Sequence, residues 1–424
     1  MRVLVVGGGG REHAICSALA SDPAVDRLFA APGNAGIAEI ATLASIPATD
    51  VEALADFAVD RGIDLTVVGP EAPLVSGLAD RFGARGLAVF GPTRDGARIE
   101  GSKSWARALC DRHGIPAPRS WEFSEAPAAI AHLRTLEFPV VVKADGLAAG
   151  KGVTVAHDLD AATRAVEDAL VRGVFGDAGA LVLIEEYLTG EEVSAMSFVE
   201  GDVVVPMPLA RDYKRAFDGD AGPNTGGMGA FSPVPGADGE VARAVDDILR
   251  ATTRALVDDG VHYRGVLYAG LMVTGDGPRV LEFNCRFGDP ETEAVLPRLR
   301  SGLSEALLAC VEGGLEKVSL QWTPDPCVAV VLASRGYPGP VETGKPIDGL
   351  DHAARSAGVR VFHSGTSARD GRVWTSGGRV LTVSAVGPDF GEARRRAYEA
   401  ASAIQFDGIN YRGDIAVAAA RGDA

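Results

Sequence analysis

Short apolar runs alternate with amphipathic stretches along the first hundred residues. Residues 3–6, 65–69 and 87–91 have the length and composition of buried strands, and residues 51–61 carry apolar side chains at helical spacing. Strands that alternate with helices are typical of a parallel sheet with helices on its faces. We therefore expect a Rossmann-like α/β domain over residues 1–101.

The pattern changes after residue 101, where glycine-rich or acidic segments separate the apolar strands. Residues 102–323 predict a second domain built from two small sheets, with a mobile lid at roughly 119–190. Residues 222–230 hold too many glycines for a core element, so we expect a mobile loop near a ligand or a simple linker. Residues 324–424 predict a small C-terminal α+β domain. The expected fold class is thus a multidomain α/β and α+β protein.

Composition narrows the classes of function. The chain has 424 residues, of which 46% are hydrophobic and 23% charged, as in ordinary globular proteins. Its formal net charge of −16 argues against binding to nucleic acid or to an anionic membrane, because both require basic patches. No apolar run approaches the ~20 residues of a bilayer span, and a strand-like run directly after Met1-Arg2 predicts no signal peptide. The 5 cysteines show no CxxC spacing, so we expect reduced thiols, a cytoplasmic location and no zinc site.

The first predicted turn, residues 7–10, consists of four glycines between a strand and a helix and can present backbone N–H groups to an anion. The dinucleotide fingerprint GxGxxG fails, because Glu12 occupies its third glycine position and the second strand ends without an acidic residue for a ribose. This pattern favours the phosphate of a smaller ligand over NAD, and a tight packing turn also fits it. Glu71 follows the third strand, where it could accept hydrogen bonds from ribose hydroxyls or serve as a plain turn carboxylate.

Lysine is rare among the 41 basic residues, and three of the lysines lie in or beside glycine-rich runs. Lys103 begins a predicted helix, and Lys143 lies within the apolar strand VVVKA just before the small-residue loop 144–152. Two ammonium groups and a loop of free N–H groups suit a polyphosphate. The loop is not a Walker A loop, because Gly152 follows Lys151 where Ser or Thr is required. A disordered hairpin tip is the alternative for the loop, but it does not explain a lysine inside an apolar strand.

A dense group of polar side chains occupies residues 281–291, LEFNCRFGDPE. If this segment begins as a strand, Glu282, Asn284 and Arg286 share one face. Two oxygen ligands two residues apart suit a hard cation such as Mg²⁺, which takes the rest of its shell from water and phosphates. The arginine would clamp a phosphate or a carboxylate. A solvated edge face is the alternative for these three residues alone.

Many short runs of the chain occur together, in one order and spacing, in a known family. They are GGREHA, GPEAPLV, FGPT, EGSK, KADGLAAGKG, EEYLTGEE, GPNTGGMGA, LYAGLM, EFNCRFGDPE, GYPG and SGGRV. By these runs the chain resembles the ATP-grasp ligases, and within them the phosphoribosylamine–glycine ligase family, over essentially its whole length. The resemblance implies an ATP-grasp core in which two small sheets sandwich ATP.

The resemblance also implies a reaction. Family members ligate glycine to 5-phosphoribosylamine with ATP, and give glycinamide ribonucleotide, ADP and phosphate in de novo purine biosynthesis. We expect a glycyl phosphate intermediate, Mg²⁺ or Mn²⁺ as the metal, and a single-function enzyme that is a monomer or weak dimer. The partners would be the small-molecule substrates, with no nucleic acid and no membrane.

Residue roles follow from the resemblance position by position. The implied catalytic residues are Lys143, Arg286 and Asp289, and the implied metal ligands are Glu282 and Asn284. The implied ATP-binding residues are Lys103, Lys143, Gly146, Gly150, Lys151, Gly152, Glu185, Glu186, Tyr187, Leu188 and Glu192. The implied substrate-binding residues are Gly9, Gly10, Glu71, Asp212, Lys214, Asn224, Gly288, Asp289, Pro290 and Glu291.

The chain departs from the family pattern at two places. Gly8 stands where the family usually has an asparagine, and residues 268–270, Tyr-Ala-Gly, stand where many ATP-grasp enzymes have a further carboxylate. The second departure leaves open which residues would hold a second metal. The alternatives are another ATP-grasp carboxylate–amine ligase, a carboxylase, or a nicotinamide-dependent dehydrogenase built on the N-terminal turn.

Overall fold

The computed structural model describes residues 1–148 and 152–422. Its first region contains the strands β1 (Arg2–Gly7), β2 (Arg27–Pro32), β3 (Thr42–Leu43), β4 (Leu65–Val68) and β5 (Val89–Phe90). Its helices are α1 (Gly10–Ala20), α2 (Val51–Arg61), α3 (Glu71–Val75), α4 (Leu78–Ala84) and α5 (Arg94–Gly101). The strands form one parallel sheet in the order β3-β2-β1-β4-β5.

Both faces of this parallel sheet are buried. Along β1, Val3 and Val5 lie in one hydrophobic core, and Leu4 and Val6 lie in another. A strand that is buried on both faces needs apolar side chains at every position, which explains the unbroken run at the start of the chain. The Rossmann-like expectation for this region is confirmed.

A small antiparallel sheet follows the first region. Its elements are α6 (Lys103–His113), β6 (Ser120–Phe123), α7 (Ala126–Leu133), β7 (Val140–Ala144), β8 (Val153–Ala156), α8 (Leu159–Leu170) and β9 (Val182–Glu186). The strand order is β6-β9-β7-β8, and Lys143 on β7 pairs in register with Leu183 and Val153. Helices α7 and α8 cover one face of the sheet with a core of their own.

A second antiparallel sheet comes next in the chain. This part contains β10 (Glu191–Glu200), β11 (Val203–Pro206), β12 (Arg211–Asp212), β13 (Arg215–Phe217), β14 (Ala221–Asn224), β15 (Gly229–Ser232), α9 (Gly239–Asp258), β16 (Arg264–Thr274), β17 (Gly277–Asn284), α10 (Glu291–Val295) and α11 (Leu303–Glu312). The sheet has the order β11-β10-β16-β17. Opposite β16, Glu282 pairs with Gly270 and Val280 with Leu271, so Leu281 is an extra, bulged residue of β17.

The third region completes the fold. Its elements are β18 (Cys327–Ala333), α12 (Leu350–Ala354), β19 (Val359–His363), β20 (Thr366–Arg369), β21 (Arg372–Thr375), β22 (Arg379–Val386), α13 (Phe390–Ala403) and α14 (Val417–Arg421). Its main sheet has the order β12-β15-β18-β22-β19, with α13 packed on β18 and β22. Two strands of this sheet, β12 and β15, therefore come from the middle of the chain.

The glycine-rich run 222–230 is more ordered than the sequence predicted. It contributes Ala221–Asn224 to a two-stranded hairpin with β13, and Gly229–Ser232 to the third main sheet. Gly229 lies against the backbone of β18, because a Cβ there would be 2.7 Å from the carbonyl oxygen of Ala329. The glycines thus allow close strand packing, and the expectation of a loop or linker was wrong for both ends of the run. In the part of the chain that the structure describes, we find no helix long and apolar enough to cross a membrane.

Candidate active site

A cavity of about 660 Å³ lies where the three regions meet. Most of the residues singled out by the sequence line it: Glu71, Lys103, Lys143, Gly152, Glu185, Asp212, Lys214, Asn224, Glu282, Asn284, Arg286, Asp289 and Glu291. Acidic and basic side chains occur in equal number in its described lining, which also includes Arg11, Glu100, Arg107 and Arg379. The cavity is therefore locally balanced, although the whole chain carries a net charge of −16.

The remaining predicted residues lie elsewhere. Outside the described lining are Gly9, Gly10, Gly146, Glu186, Tyr187, Leu188, Glu192, Gly288 and Pro290. Gly150 and Lys151 fall outside the described residues. Tyr187 is 41% exposed and Leu188 is buried, whereas the Glu186 carboxylate pairs with Arg119 and Arg279 at 2.9 and 3.0 Å.

Lys143 is the centre of a buried ion-pair network. Its Nζ lies 2.7 Å from the carboxylate of Glu185 and donates to the carbonyl oxygen of Leu281 at 2.9 Å. Arg107 on α6 reaches the same carboxylate at 2.6 Å and the same carbonyl at 2.6 Å. Burial alone would raise the pKa of Glu185, but the charges of Lys143 and Arg107 lower it. The Glu185 side chain is therefore committed to these cations.

Lys103 ties helix α6 to the start of the small-residue loop. Its ammonium donates to the carbonyl oxygens of Gly146 at 3.0 Å and Asp145 at 3.3 Å. The Asp145 carboxylate accepts in turn from the backbone N–H of Ser104 at 2.6 Å. Burial lowers the pKa of Lys103, although the charge of Glu282 opposes this. The two lysines predicted for a polyphosphate thus both line the cavity and anchor its walls.

Glu282 and Asn284 lie at the end of β17 and face the cavity. Within residues 1–148 and 152–422, Glu282 has no hydrogen bond or ion pair, so its carboxylate is available as a ligand. Asn284 donates through Nδ2 to the carbonyl of Phe283 at 2.8 Å, which leaves its side-chain oxygen free. No cluster of three or more His, Cys, Asp or Glu residues suited to a metal occurs in the described residues. Two oxygen donors from one strand fit a hard cation that takes its other ligands from water and substrate phosphates.

Two carboxylates form ion pairs with Arg286. Its guanidinium lies 2.9 Å from Glu100 and 3.3 Å from Glu71. Glu100 also accepts from the backbone N–H of Cys285 at 2.8 Å, so this carboxylate holds both the residue after β17 and Arg286. Burial raises the pKa of Glu100, although the charge of Arg286 opposes this. Glu71, for which the sequence left open a contact with ribose hydroxyls or a plain turn carboxylate, is an ion-pair partner of Arg286.

An acidic corner surrounds Lys214. The ammonium pairs with Glu192 and lies 3.4 Å from Oδ1 of Asp212. That oxygen is buried and has no hydrogen-bond partner among the described residues. Burial raises the pKa of Asp212 to about 7, against the opposing charge of Lys214. The corner can therefore take a positively charged or proton-donating group of a substrate.

Glu291 is fixed next to this corner by two hydroxyl groups. Ser194 and Tyr268 each donate to its Oε1 at 2.9 Å. Both donors come from the central strands β10 and β16, and they lie 3.0 Å from each other. Tyr268 is one of the family departures, and its hydroxyl has a defined partner in the carboxylate of Glu291.

The segment before Glu291 meets the third region. The Asp289 carboxylate lies 3.0 Å from Arg379 on β22, and the same arginine donates to the Asp289 carbonyl at 3.2 Å. Gly288 donates its N–H to the sulfur of Met196 at 3.2 Å, and a Cβ there would lie 2.6 Å from the carboxylate of Glu291. Gly288 is therefore needed for close packing rather than placed in the cavity.

The N-terminal glycine turn is packed around a carboxylate. Glu12 accepts from the backbone N–H of Gly9 at 2.5 Å and from Arg11 at 2.6 Å. A Cβ at Gly7 would be 2.6 Å from the Glu12 side chain, and one at Gly69 would overlap it. The Gly9 N–H is thus already occupied, whereas Arg11 from the same turn lines the cavity. Gly8 also has no room for a side chain, since a Cβ would lie 2.5 Å from the Gly33 carbonyl oxygen.

Several functional candidates escaped the sequence analysis, namely Arg11, Glu100, Arg107, Ser194 and Arg379. Arg107 follows Lys103 by four positions, so it shares a helical face with a residue already singled out, and this spacing could have revealed it. Arg379 lies inside the SGGRV run. Glu100 precedes Lys103 in the EGSK run. Ser194 carried no usable signal, because its partner is 97 residues away.

Comparison with known families decides where the chain belongs. Family models of phosphoribosylglycinamide synthetase match three parts of it: the N domain at residues 1–100, the ATP-grasp (A) domain at 101–292 and the C domain at 327–418. The chain belongs to this family.

Relatives that align over nearly the full length of the chain give the same family assignment. Curated phosphoribosylamine–glycine ligases of Pseudomonas aeruginosa and Brucella melitensis are 49% and 47% identical to the chain. The alignments cover 100% of both chains for the first, and 98% of this chain and 97% of the relative for the second. The predicted family and its three-domain ATP-grasp fold are therefore confirmed.

Solved structures show the same architecture. The crystal structure of phosphoribosylamine–glycine ligase from Thermotoga maritima has a TM-score of 0.86 and 34% identity, and the match covers 98% of this chain and 100% of that one. A biotin carboxylase domain from Hydrogenobacter thermophilus matches with a TM-score of 0.74 over 96% of this chain and 91% of that one. Its identity of 14% makes that second match a likeness of fold alone. The ATP-grasp fold implies use of ATP and a divalent metal by the phosphoribosylglycinamide synthetase family.

Proposed function

We propose that the chain is an ATP-dependent ligase that joins glycine to 5-phosphoribosylamine and gives glycinamide ribonucleotide, ADP and phosphate. The observation that carries the proposal is the match of all three family domains to one chain, whose cavity is lined by residues from each of the three matched parts. The enzyme would act in de novo purine biosynthesis in the cytoplasm, as a monomer or weak dimer, with small molecules as its only partners.

The polyphosphate of ATP would lie between the two small sheets. Lys103 and Lys143 both line the cavity, and Glu185, which also pairs with Arg107, holds Lys143 in place. Preorganised positive charge of this kind supports phosphoryl transfer, which needs positioning and charge neutralisation more than covalent help. The adenine would pack against residues 185–188, through their backbone rather than the Glu185 carboxylate.

Glu282 and Asn284 would hold Mg²⁺ or Mn²⁺. The chemistry that such a cation would supply there is neutralisation of negative charge on the phosphates of ATP. Beside it, Arg286 would orient the γ-phosphoryl group, because Glu71 and Glu100 fix its guanidinium at the cavity edge. The glycine carboxylate attacks this phosphorus and gives glycyl phosphate and ADP.

The second step needs an amine next to the acyl phosphate. The nitrogen of phosphoribosylamine attacks the carbonyl carbon and expels phosphate, while a proton leaves the nitrogen. Asp212, Asp289 and Glu291 line this side of the cavity, and they would orient the two amino groups. Asn224 and Lys214 complete the wall, and the Gly9–Gly10 turn with Arg11 would face the ribose phosphate.

The experiment is a substrate test with product identification. Purified chain, ATP and Mg²⁺ are incubated with glycine and freshly generated phosphoribosylamine, and ADP and product mass are followed. We expect ADP release only when both are present, with a product of the mass of glycinamide ribonucleotide. Glycine labelled with ¹⁸O in its carboxylate should transfer one ¹⁸O to the released phosphate, as a glycyl phosphate intermediate requires.

The same assay separates the alternatives. ADP release with bicarbonate but not with glycine would point to a carboxylase, and release with D-alanine would point to another carboxylate–amine ligase. Tight binding of NAD(P)H in a fluorescence titration, without ATP cleavage, would favour a dehydrogenase. Any of these results would overturn the proposal.

A further inference from the structure

Glu293 has an unusual environment for an acidic residue. It lies in α10 with 0% of its surface exposed, and neither carboxyl oxygen has a hydrogen-bond partner within residues 1–148 and 152–422. Buried polar groups in folded proteins nearly always have a partner. The residue was not among the sequence candidates, and the reaction described above does not use it.

The carboxyl of Glu293 lies directly behind the N-terminal turn. A Cβ at Gly10 would overlap its Oε1, and the same Cβ would be 2.7 Å from the hydroxyl oxygen of Ser364 in the third region. Glu293 therefore contacts the backbone at the first residue of helix α1. The next residue of α10, Ala294, packs on Ala230 and Ala329 of the third region's sheet.

The charged groups that face Glu293 are few. Asp289 precedes its own helix, Arg379 comes from β22, and Arg11 comes from α1. Cys327 on β18 approaches the Glu293 backbone carbonyl, and burial raises the pKa of this thiol to about 12, so it stays uncharged. Arg379 is already paired with Asp289, at 3.0 Å. A carboxylate at Glu293 would thus be buried without a counter-ion of its own.

Buried charges persist only when they are paired, and otherwise the group becomes neutral. Burial and the nearby charge of Asp289 accordingly raise the pKa of Glu293. A neutral carboxyl has an O–H donor and no charge to repel an anion. This matters here because Glu293 lies against Gly10, in the turn that the proposed function assigns to the phosphate of phosphoribosylamine.

We propose that Glu293 is a positioning residue that supports the Gly9–Gly10 turn as an uncharged carboxylic acid, and so permits the substrate's phosphate to approach the start of helix α1. The inference rests on the proposed function for the identity of that substrate. Ionisation of Glu293 places a negative charge behind the turn and opposes the phosphate.

The test compares Glu293→Gln, Glu293→Ala and wild type from pH 7.0 to 9.5. For wild type we expect the KM for phosphoribosylamine to rise once the pH is high enough to ionise Glu293, while the KM for ATP stays flat. Glu293→Gln keeps the shape and the neutrality, so its KM should match wild type at pH 7.0 and lose the rise at high pH. Glu293→Ala should raise the KM for phosphoribosylamine about 10-fold at every pH with little change in the KM for ATP, because the turn loses its support.

A binding measurement without turnover complements the kinetics. Calorimetric titration uses ribose 5-phosphate as a stable probe for the ribose phosphate. At pH 7.0 it should give similar affinities for wild type and Glu293→Gln and a weaker affinity for Glu293→Ala. The matched control is Glu305→Gln, an exposed acid on α11 that should behave as wild type. Thermal unfolding of each variant checks folding, and if Glu293→Ala does not fold, the pH profile of Glu293→Gln still decides.

Two outcomes would overturn the inference. A Glu293→Gln enzyme with a raised KM for phosphoribosylamine at pH 7.0 would show that the charge is needed. An equal rise of the KM for ATP and of the KM for phosphoribosylamine in Glu293→Ala would show a general structural role. So would a Glu293→Gln enzyme that keeps the pH trend of wild type. Failure of the proposed function is distinct, since wild type would then form no glycinamide ribonucleotide at any pH.

Discussion

The ammonium of Lys143 donates a hydrogen bond of 2.9 Å to the carbonyl oxygen of Leu281, across the cleft between the two small sheets. Leu281 is the bulged residue of β17, and a bulge frees a carbonyl that regular pairing would occupy. Arg107 donates to the same oxygen at 2.6 Å. Strand β17 and Lys143 are thereby joined in one network, so we expect a change at either one to affect the other.

Replacement of Lys143 by methionine should lower kcat/KM for ATP by about 100-fold, since a preorganised charge next to the transferring group is lost. Glu185 keeps Arg107 as a partner, so the protein should still fold. Steady-state kinetics with varied ATP measures the effect. Lys317→Met serves as the control, because that lysine is 82% exposed and far from the cavity lining. Equal activities of Lys143→Met and the control would contradict the assigned role.

Replacement of Glu282 by glutamine should raise the Mg²⁺ concentration for half-maximal activity by at least about 10-fold, because one anionic oxygen is lost from the ligand set. The amide keeps the shape of the side chain, and Glu282 has no ion pair in the described part of the chain that the change could break. Titration of activity with Mg²⁺ at saturating ATP reports the shift. Glu316→Gln, at an exposed site, should leave the titration unchanged. An unshifted curve for Glu282→Gln would remove this residue from the metal site.

Replacement of Tyr268 by phenylalanine should cost about 1 kcal/mol of unfolding free energy, because one of the two hydroxyl donors to Glu291 disappears. Ser194 still donates to the same oxygen at 2.9 Å, so the carboxylate keeps a partner. The double variant with Ser194→Ala leaves the buried carboxylate bare and should cost more than the sum of the single changes. Denaturant titration measures all three, and strict additivity would argue against a shared role.

The sequence predicted those elements whose limits are set by local chemistry. Helix α2 has the predicted limits, since the Asp50 side chain caps its start and Gly62 ends it with a positive φ of 56°. Strand β18 likewise matches its apolar run. The strands β12 and β15 were not predicted, because they are two and four residues long and β15 joins its sheet through β18, which lies far along the chain.

The same distinction holds within the site. Lys143 and Glu282 could be found because a charged residue inside an apolar strand needs an explanation. Arg379 lies in the SGGRV run, but its role could not be predicted, since its partner Asp289 is 90 residues away and only the fold brings them together. The glycine turn shows a third case. Its glycines correctly indicated that another group packs closely against the backbone, but the groups that pack there include the carboxylate of Glu12.

A buried histidine pair predicts how stability depends on pH. The backbone N–H of His363 donates to Nδ1 of His13 at 2.8 Å, which joins α1 to the third region. Burial, with the neighbouring His363, lowers the pKa of His13 to about 3, and burial lowers the pKa of His363 to about 4. Both side chains are thus neutral in the folded protein at pH 5, whereas in the unfolded chain they take up protons below about 6.5.

Acidification from pH 7 towards pH 4 should therefore destabilise the fold, because the unfolded state binds more protons there. Each histidine contributes a slope of about 1.4 kcal/mol per pH unit well below 6.5. In His13→Asn the amide oxygen can still accept from His363, but one titrating group is gone, so the loss of stability between pH 7 and pH 5 should be smaller. Denaturant unfolding at both pH values measures this difference. The exposed His262→Asn is the control and should keep the wild-type slope, and a His13→Asn slope equal to wild type would contradict the neutral buried pair.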